Sequence, residues 1–154
     1  LFVTDTHGAI TGLINSKDIA AIQKYSPAVL LREIRTDTSP DEVIRHNEVL
    51  PYLITTLVKS GAKPENINHL TTIVIDTILQ KLLEFAIREL GPPPVRFAFL
   101  VFGSEGRQEQ TLMTDQDNAI VFEDTATGLE SSFIQAYFIK LGSMVCRWLN
   151  QATR

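Results

Sequence analysis

The chain has 154 residues, 44% apolar and 21% charged, with 14 basic against 18 acidic side chains and a net charge of -4. That length buries about 70% of the unfolded surface and so supports one real core, while scattered Lys and Arg in an acidic chain lack the basic footprint of a nucleic-acid binder. The longest apolar run, Phe97 to Phe102, falls far short of the roughly 20 residues a membrane helix needs, so a globular, cytoplasmic chain with no membrane and no nucleic-acid partner is expected.

Leu1-Phe2-Val3 and Ala9 to Ile14 flank a Thr6-His7-Gly8 turn, which predicts a hairpin. A short helix is expected from about Ser16 to Lys24, interrupted at Ser26-Pro27 before a second short segment, Ala28 to Ile34. These pieces amount to less than a domain, and the chain opens on Leu1 in mid-strand, so a fragment of a larger protein is expected.

Ser39-Pro40-Asp41-Glu42 combines a serine cap, a proline in the first helical position and a glutamate three residues after the cap, a strong helix start. Val43, Val49, Leu50, Leu53, Ile54, Leu57 and Val58 then keep near-helical spacing up to Gly61. Lys63-Pro64-Glu65 turns the chain into a longer helix, with Ile67, Leu70, Val74, Ile78, Leu82, Phe85 and Ile87 inward, ending at Gly91 before Pro92-Pro93-Pro94. The two helices are expected to form an antiparallel hairpin.

Val95 to Phe102 reads as a buried strand, Gly103 to about Leu112 as a loop and short helix, and Asp117 to Phe122 as a second strand. Thr127-Gly128-Leu129-Glu130 repeats the capping pattern and opens a last helix to about Gln151, on which Phe133, Phe138, Leu141 and Trp148 are expected to share one packed face. Cys146, the single cysteine, lies on that helix among apolar residues and reads as a structural thiol; no internal disulfide can form. Three parts result: 1–39, 40–91 and 92–154, the last α/β and the whole α+β.

The chemistry concentrates between Gly103 and Val121. Phe99-Leu100-Val101-Phe102-Gly103-Ser104-Glu105-Gly106-Arg107 puts small residues where a strand ends and a helix begins. Such a turn offers backbone N–H groups and close approach, so Gly103 and Ser104 could hold a triphosphate, with Arg107 one turn on to add a bidentate phosphate contact. In Thr114-Asp115-Gln116-Asp117 the alternation of an extended chain puts Asp115 and Asp117 on one face, where two carboxylates repel unless a cation sits between them. Hard oxygen ligands suit Mg2+, which binds through one or two carboxylates plus substrate phosphates. Either feature alone is more often an ordinary turn or a solvated cap; ten residues apart in a strand-helix-strand context they point to phosphoryl or nucleotidyl transfer.

Gly103-Ser104, ten intervening residues, then Asp115-x-Asp117 resembles the signature of the polymerase-beta-type nucleotidyltransferase superfamily. Gly91-Pro92-Pro93-Pro94, Gly103-Ser104-Glu105-Gly106-Arg107-Gln108-Glu109-Gln110-Thr111 and Thr114-Asp115-Gln116-Asp117-Asn118-Ala119 resemble more closely the nucleotidyltransferase-like family joined to CBS modules in bacterial signalling proteins. The likeness runs from about Asp41 to the C-terminus, and the core is similar to that of the PII-protein uridylyltransferase. It implies transfer of a nucleoside monophosphate from a nucleoside triphosphate to an acceptor such as a signalling protein, with Asp115 and Asp117 as catalytic metal ligands for two Mg2+ ions and Gly103, Ser104 and Arg107 on phosphate. The N-terminal stretch Gly8-Ala9-Ile10-Thr11-Gly12-Leu13-Ile14-Asn15-Ser16-Lys17-Asp18-Ile19 resembles the closing strand-turn-helix of a CBS motif. Asp18 matches that family's ribose-binding aspartate, and Asn15 departs from its usual Ser or Thr.

One departure stands out. The superfamily carries a third carboxylate on a later strand, and none is placed here: Glu123 and Asp124 end the same strand as Asp117, and Glu130 reads as a helix-cap partner. Several rivals fail. No Gly-Lys-Ser or Gly-Lys-Thr closes a P-loop, Ala119 and Ile120 stand where a calcium loop needs a ligand and a glycine, and the acidic Glu105 opposes a KH-type RNA clamp at Gly103 to Gly106. His7, His46 and His69 have no partner at metal-ligand spacing and read as surface or capping residues. Two alternatives of other classes stay open: a regulatory module that binds nucleotide without turnover, and a homodimer formed through the helical hairpin.

Overall fold

The computed structural model describes residues 1–15, 26–107, 117–124 and 129–152. Helix and strand are mixed, an α+β fold, in the order β1 (Phe2–Thr4), β2 (Ile10–Leu13), α1 (Pro27–Thr36), α2 (Pro40–Arg45), a 3-10 turn (His46–Glu48), α3 (Leu50–Lys59), α4 (Pro64–Leu90), β3 (Phe97–Val101), α5 (Gly103–Gly106), β4 (Asn118–Phe122) and α6 (Leu129–Ala152).

β1 and β2 form the expected antiparallel hairpin. Asp5 closes its turn, its carboxylate accepting from the main-chain N–H groups of His7 and Ala9 at 2.8 and 2.9 Å. Phe2 is 72% exposed and Ile10 67%, and no residue of the hairpin joins the core. The helix expected from Ser16 to Lys24 lies outside the described residues. The second expected segment is a helix that opens at Ser26-Pro27: the Ser26 hydroxyl accepts from the Val29 N–H, and Pro27 sits in the first turn, where its missing N–H is not needed.

α2 opens on a complete capping box. The Glu42 N–H donates to the Ser39 hydroxyl at 3.3 Å, and the Glu42 carboxylate accepts from the Ser39 N–H at 3.2 Å. The helix expected to run unbroken to Gly61 is nevertheless divided into α2, the 3-10 turn and α3. Pro51 explains the division, because it offers no N–H to the carbonyl four residues back and its ring would strike that carbonyl. At the break, His46 Nε2 lies 2.8 Å from Asp37 Oδ2 and braces the turn against the end of α1. Burial pushes the Asp37 carboxyl above its ordinary value, against the pull of His46.

α4 is the central helix, with α1, α2, α3 and α6 all packed on it. Val74, Ile78, Leu82 and Phe85 are buried as their spacing requires. Thr71, Thr72 and Thr77 are buried among them, each returning its hydroxyl to the carbonyl four residues earlier, at 2.9, 3.0 and 2.7 Å, which satisfies the polar groups inside the helix. At its C-terminal end the Tyr137 hydroxyl donates to the Gly91 carbonyl at 2.6 Å and ties α4 to α6.

On α6, Ile134, Phe138, Leu141, Val145 and Trp148 are buried at alternating steps of four and three. Phe133, expected on the same face, is 65% exposed; five residues before Phe138 it is rotated about 140° around the helix.

β3 and β4 pair antiparallel from Phe97↔Phe122 to Val101↔Asn118. The strand expected to be buried from Val95 to Phe102 is shorter and half-buried. Phe97, Phe99 and Val101 of β3, with Ile120 and Phe122 of β4, turn to the core, where the Phe122 ring stacks on Phe138 with centroids 4.6 Å apart. Ala98, Leu100, Ala119 and Val121 are exposed. Among the described residues a helix covers one face of this sheet, and one-sided cover gives alternation rather than continuous burial. No helix among the described residues is long and apolar enough to cross a membrane.

Candidate nucleotide and metal site

The site is made by the way β3 ends. After Val101 the chain passes Phe102 and turns at Gly103, whose φ of +61° lies in the left-handed region, straight into the single turn of α5. The Gly106 N–H donates to the Phe102 carbonyl at 3.1 Å and the Arg107 N–H to the Gly103 carbonyl at 3.3 Å. The N–H groups of Gly103, Ser104 and Glu105 begin that turn, and no earlier carbonyl of the same helix can accept them. Gly106 is needed because α5 folds back on the strand: a Cβ there would lie 2.8 Å from the Val101 carbonyl oxygen.

β4 brings the aspartate. The Phe102 N–H donates to the Asp117 carbonyl at 2.8 Å, one step beyond the Val101↔Asn118 rung, so the ladder carries Asp117 to the mouth of the turn. Its side chain lies directly over Gly103, where a Cβ would be 2.8 Å from Oδ2. Any other residue at 103 would therefore meet both an unfavourable backbone conformation and the carboxylate. Asp117 and Arg107 are exposed, and Gly103 and Ser104 are half-buried.

Residues 48–153 match the family described as putative nucleotidyltransferase DUF294. The chain belongs to that family. The match contains the Gly103 turn and both aspartates, and it begins at the 3-10 turn, so the β1–β2 hairpin lies outside it. No curated protein and no solved structure matches the chain.

Of the site residues expected from sequence, the structure brings Gly103, Ser104 and Asp117 together, with Arg107 one turn along. Asp115 lies outside the described residues, as do Gln108 to Gln116 generally. Glu123, one of the two acidic residues at the end of β4, is occupied elsewhere. Its carboxylate accepts from Arg96 Nη2 at 2.8 Å and Nε at 3.2 Å, which lowers its pKa from the ordinary glutamate value. Six residues along an extended strand, it stands roughly 20 Å from Asp117. Sequence reasoning assigned no duty to Asn118, whose side chain reaches α6 with its Oδ1 3.6 Å from Cys146 Sγ. An amide among alternating apolar residues is the signal that marks it.

A hard divalent cation takes oxygen ligands and tolerates a site completed by substrate phosphates. Asp117 offers one such carboxylate at the turn where the main-chain N–H groups of α5 begin. Among the described residues no group of three His, Cys, Asp or Glu side chains could hold a metal ion.

Proposed function

We propose that this chain carries the nucleotide-binding and metal-binding core of a polymerase-beta-type nucleotidyltransferase. The observation that carries the reading is the Asp117 carboxylate lying over the Gly103 turn, because it joins the two halves of a motif separated by ten residues in sequence. Gly103 and Ser104 receive the triphosphate through main-chain N–H groups, and Arg107 adds charge to the same phosphates. Asp117, with Asp115, holds the metal. Mg2+ held there, two ions by the superfamily likeness, would supply charge neutralisation at the phosphates. An acceptor nucleophile attacks the α-phosphorus in line, the bond to the bridging oxygen breaks, and pyrophosphate leaves with the electron pair. The protein contributes alignment and preorganised charge in place of covalent chemistry.

The acceptor we favour is a side chain of a signalling protein, by likeness to PII uridylylation, with ATP or UTP as donor in the cytosol and control through CBS modules. A second reading, nucleotide binding without turnover in a regulatory module, is favoured by one observation. Glu123 is held by Arg96 at the far end of β4 and so is no third carboxylate for this site.

Calorimetric titration of ATP and UTP into the chain, with and without Mg2+, tests the site. Binding that requires Mg2+ and is lost in the Asp115→Asn, Asp117→Asn double variant is expected. Undiminished Mg2+-dependent binding by the double variant would sink the assignment. Pyrophosphate release in the presence of Mg2+ separates the enzyme from the binding module.

A further inference from the structure

The face that the β3–β4 sheet turns to α6 is apolar except at one position. Phe97, Phe99, Val101, Ile120 and Phe122 pack against the core, while Asn118 occupies the last rung of the ladder and points the same way. A half-buried amide loses water that an aliphatic residue of the same size would not miss. Where a local pattern is broken in this way, a functional reason is the common one.

The amide is met by the Cys146 thiol, 3.6 Å from Oδ1. Gly142, one helical turn earlier, lies against the same strand, where a Cβ would stand in ordinary contact with Ile120 Cδ1, at 3.4 Å. α6 thus runs close along β4 and brings a polar group to the one polar position on the face.

We propose that Asn118 is a positioning residue for Asp117. Successive side chains of a strand point to opposite faces, so anchoring Asn118 inward on α6 fixes the outward aim of Asp117 over the Gly103 turn. An apolar contact at 118 would fill the space without direction, whereas the amide–thiol contact fixes both the depth and the rotation of the strand end. The pairing with Val101 holds the same rung from the β3 side. This inference rests on the proposed function, in which Asp117 carries the metal.

The experiment is the Mg2+ dependence of ATP binding to the unaltered chain and to Asp117→Asn, Asn118→Leu, Cys146→Ala and Cys146→Ser, with thermal melting of each. Asn118→Leu is expected to melt no lower than the parent while its half-saturating Mg2+ rises about tenfold, the scale of losing a group that orients a metal ligand. Cys146→Ala should shift in the same direction, and Cys146→Ser, which keeps a donor, should recover most of the loss. A shift in melting with unchanged Mg2+ dependence in Asn118→Leu and Cys146→Ala, while Asp117→Asn still abolishes binding, overturns the positioning role alone. Intact Mg2+-dependent binding in Asp117→Asn, or none in the unaltered chain, overturns the proposed function and this inference with it. If Asn118→Leu does not fold, the Cys146 pair decides by the same readout.

Discussion

At the scale of single residues, two glycines shape the candidate site for different reasons. Gly103 combines a positive φ with a carboxylate 2.8 Å from where a Cβ would stand. Gly103→Ala should lose about 1–2 kcal/mol to the left-handed backbone and should also displace Asp117. Urea unfolding would show the first loss, and weakened Mg2+-dependent ATP binding beyond any effect on folding would show the second. Gly106 is ordinary in φ but presses on the Val101 carbonyl, and a main-chain atom cannot swing aside as a side chain can. Gly106→Ala should therefore lower stability by about 1–3 kcal/mol through overpacking. The sequence shows that small residues are wanted at this turn, since strand, glycines and helix follow one another. It does not show which atoms forbid a larger residue, because Asp117 and Val101 reach the glycines only through the ladder and the fold-back of α5.

At the scale of elements, local signals were legible wherever the interaction stays within a few residues. The capping box of α2 is of that kind. The Glu42 carboxylate accepts from the main-chain N–H groups of Thr38 and Ser39, which holds it below the ordinary glutamate value of 4.5. A depressed folded value means stability that is complete above the unfolded value and is lost as pH falls through the folded one. Chemical denaturation of the parent should therefore weaken below about pH 4.5, the ordinary value, by more than that of Glu42→Gln, which keeps an acceptor but does not titrate in that window. Ser39→Ala should cost about 1 kcal/mol at neutral pH. The break before α3 was less legible, since Val49 and Leu50 keep the helical period and only the proline at 51 argues against it. One-sided burial of β3 was not legible at all. A run such as Phe97 to Phe102 reads alike whether one helix layer covers it or two, and that is settled by which distant element packs there.

At the scale of the whole molecule, one apolar cluster joins α1, α2, α3, α4 and α6 to the inner face of the β3–β4 sheet, while the β1–β2 hairpin contributes nothing to it. The helical part and the candidate site should consequently unfold together. Leu82, fully buried at the middle of this cluster, should cost about 3 kcal/mol on replacement by Ala. The single Trp, Trp148, lies in the same core, so its near-ultraviolet signal and the helical signal should shift by equal amounts in denaturant. A two-stranded hairpin has little stability of its own, and here its apolar side chains face outward. Removal of residues 1–15 should therefore leave both transitions, and Mg2+-dependent ATP binding, where they were. A lowered midpoint in the truncated chain would show that the hairpin packs on the helical part in solution, and the site would then have to be understood as one that the N-terminal segment supports.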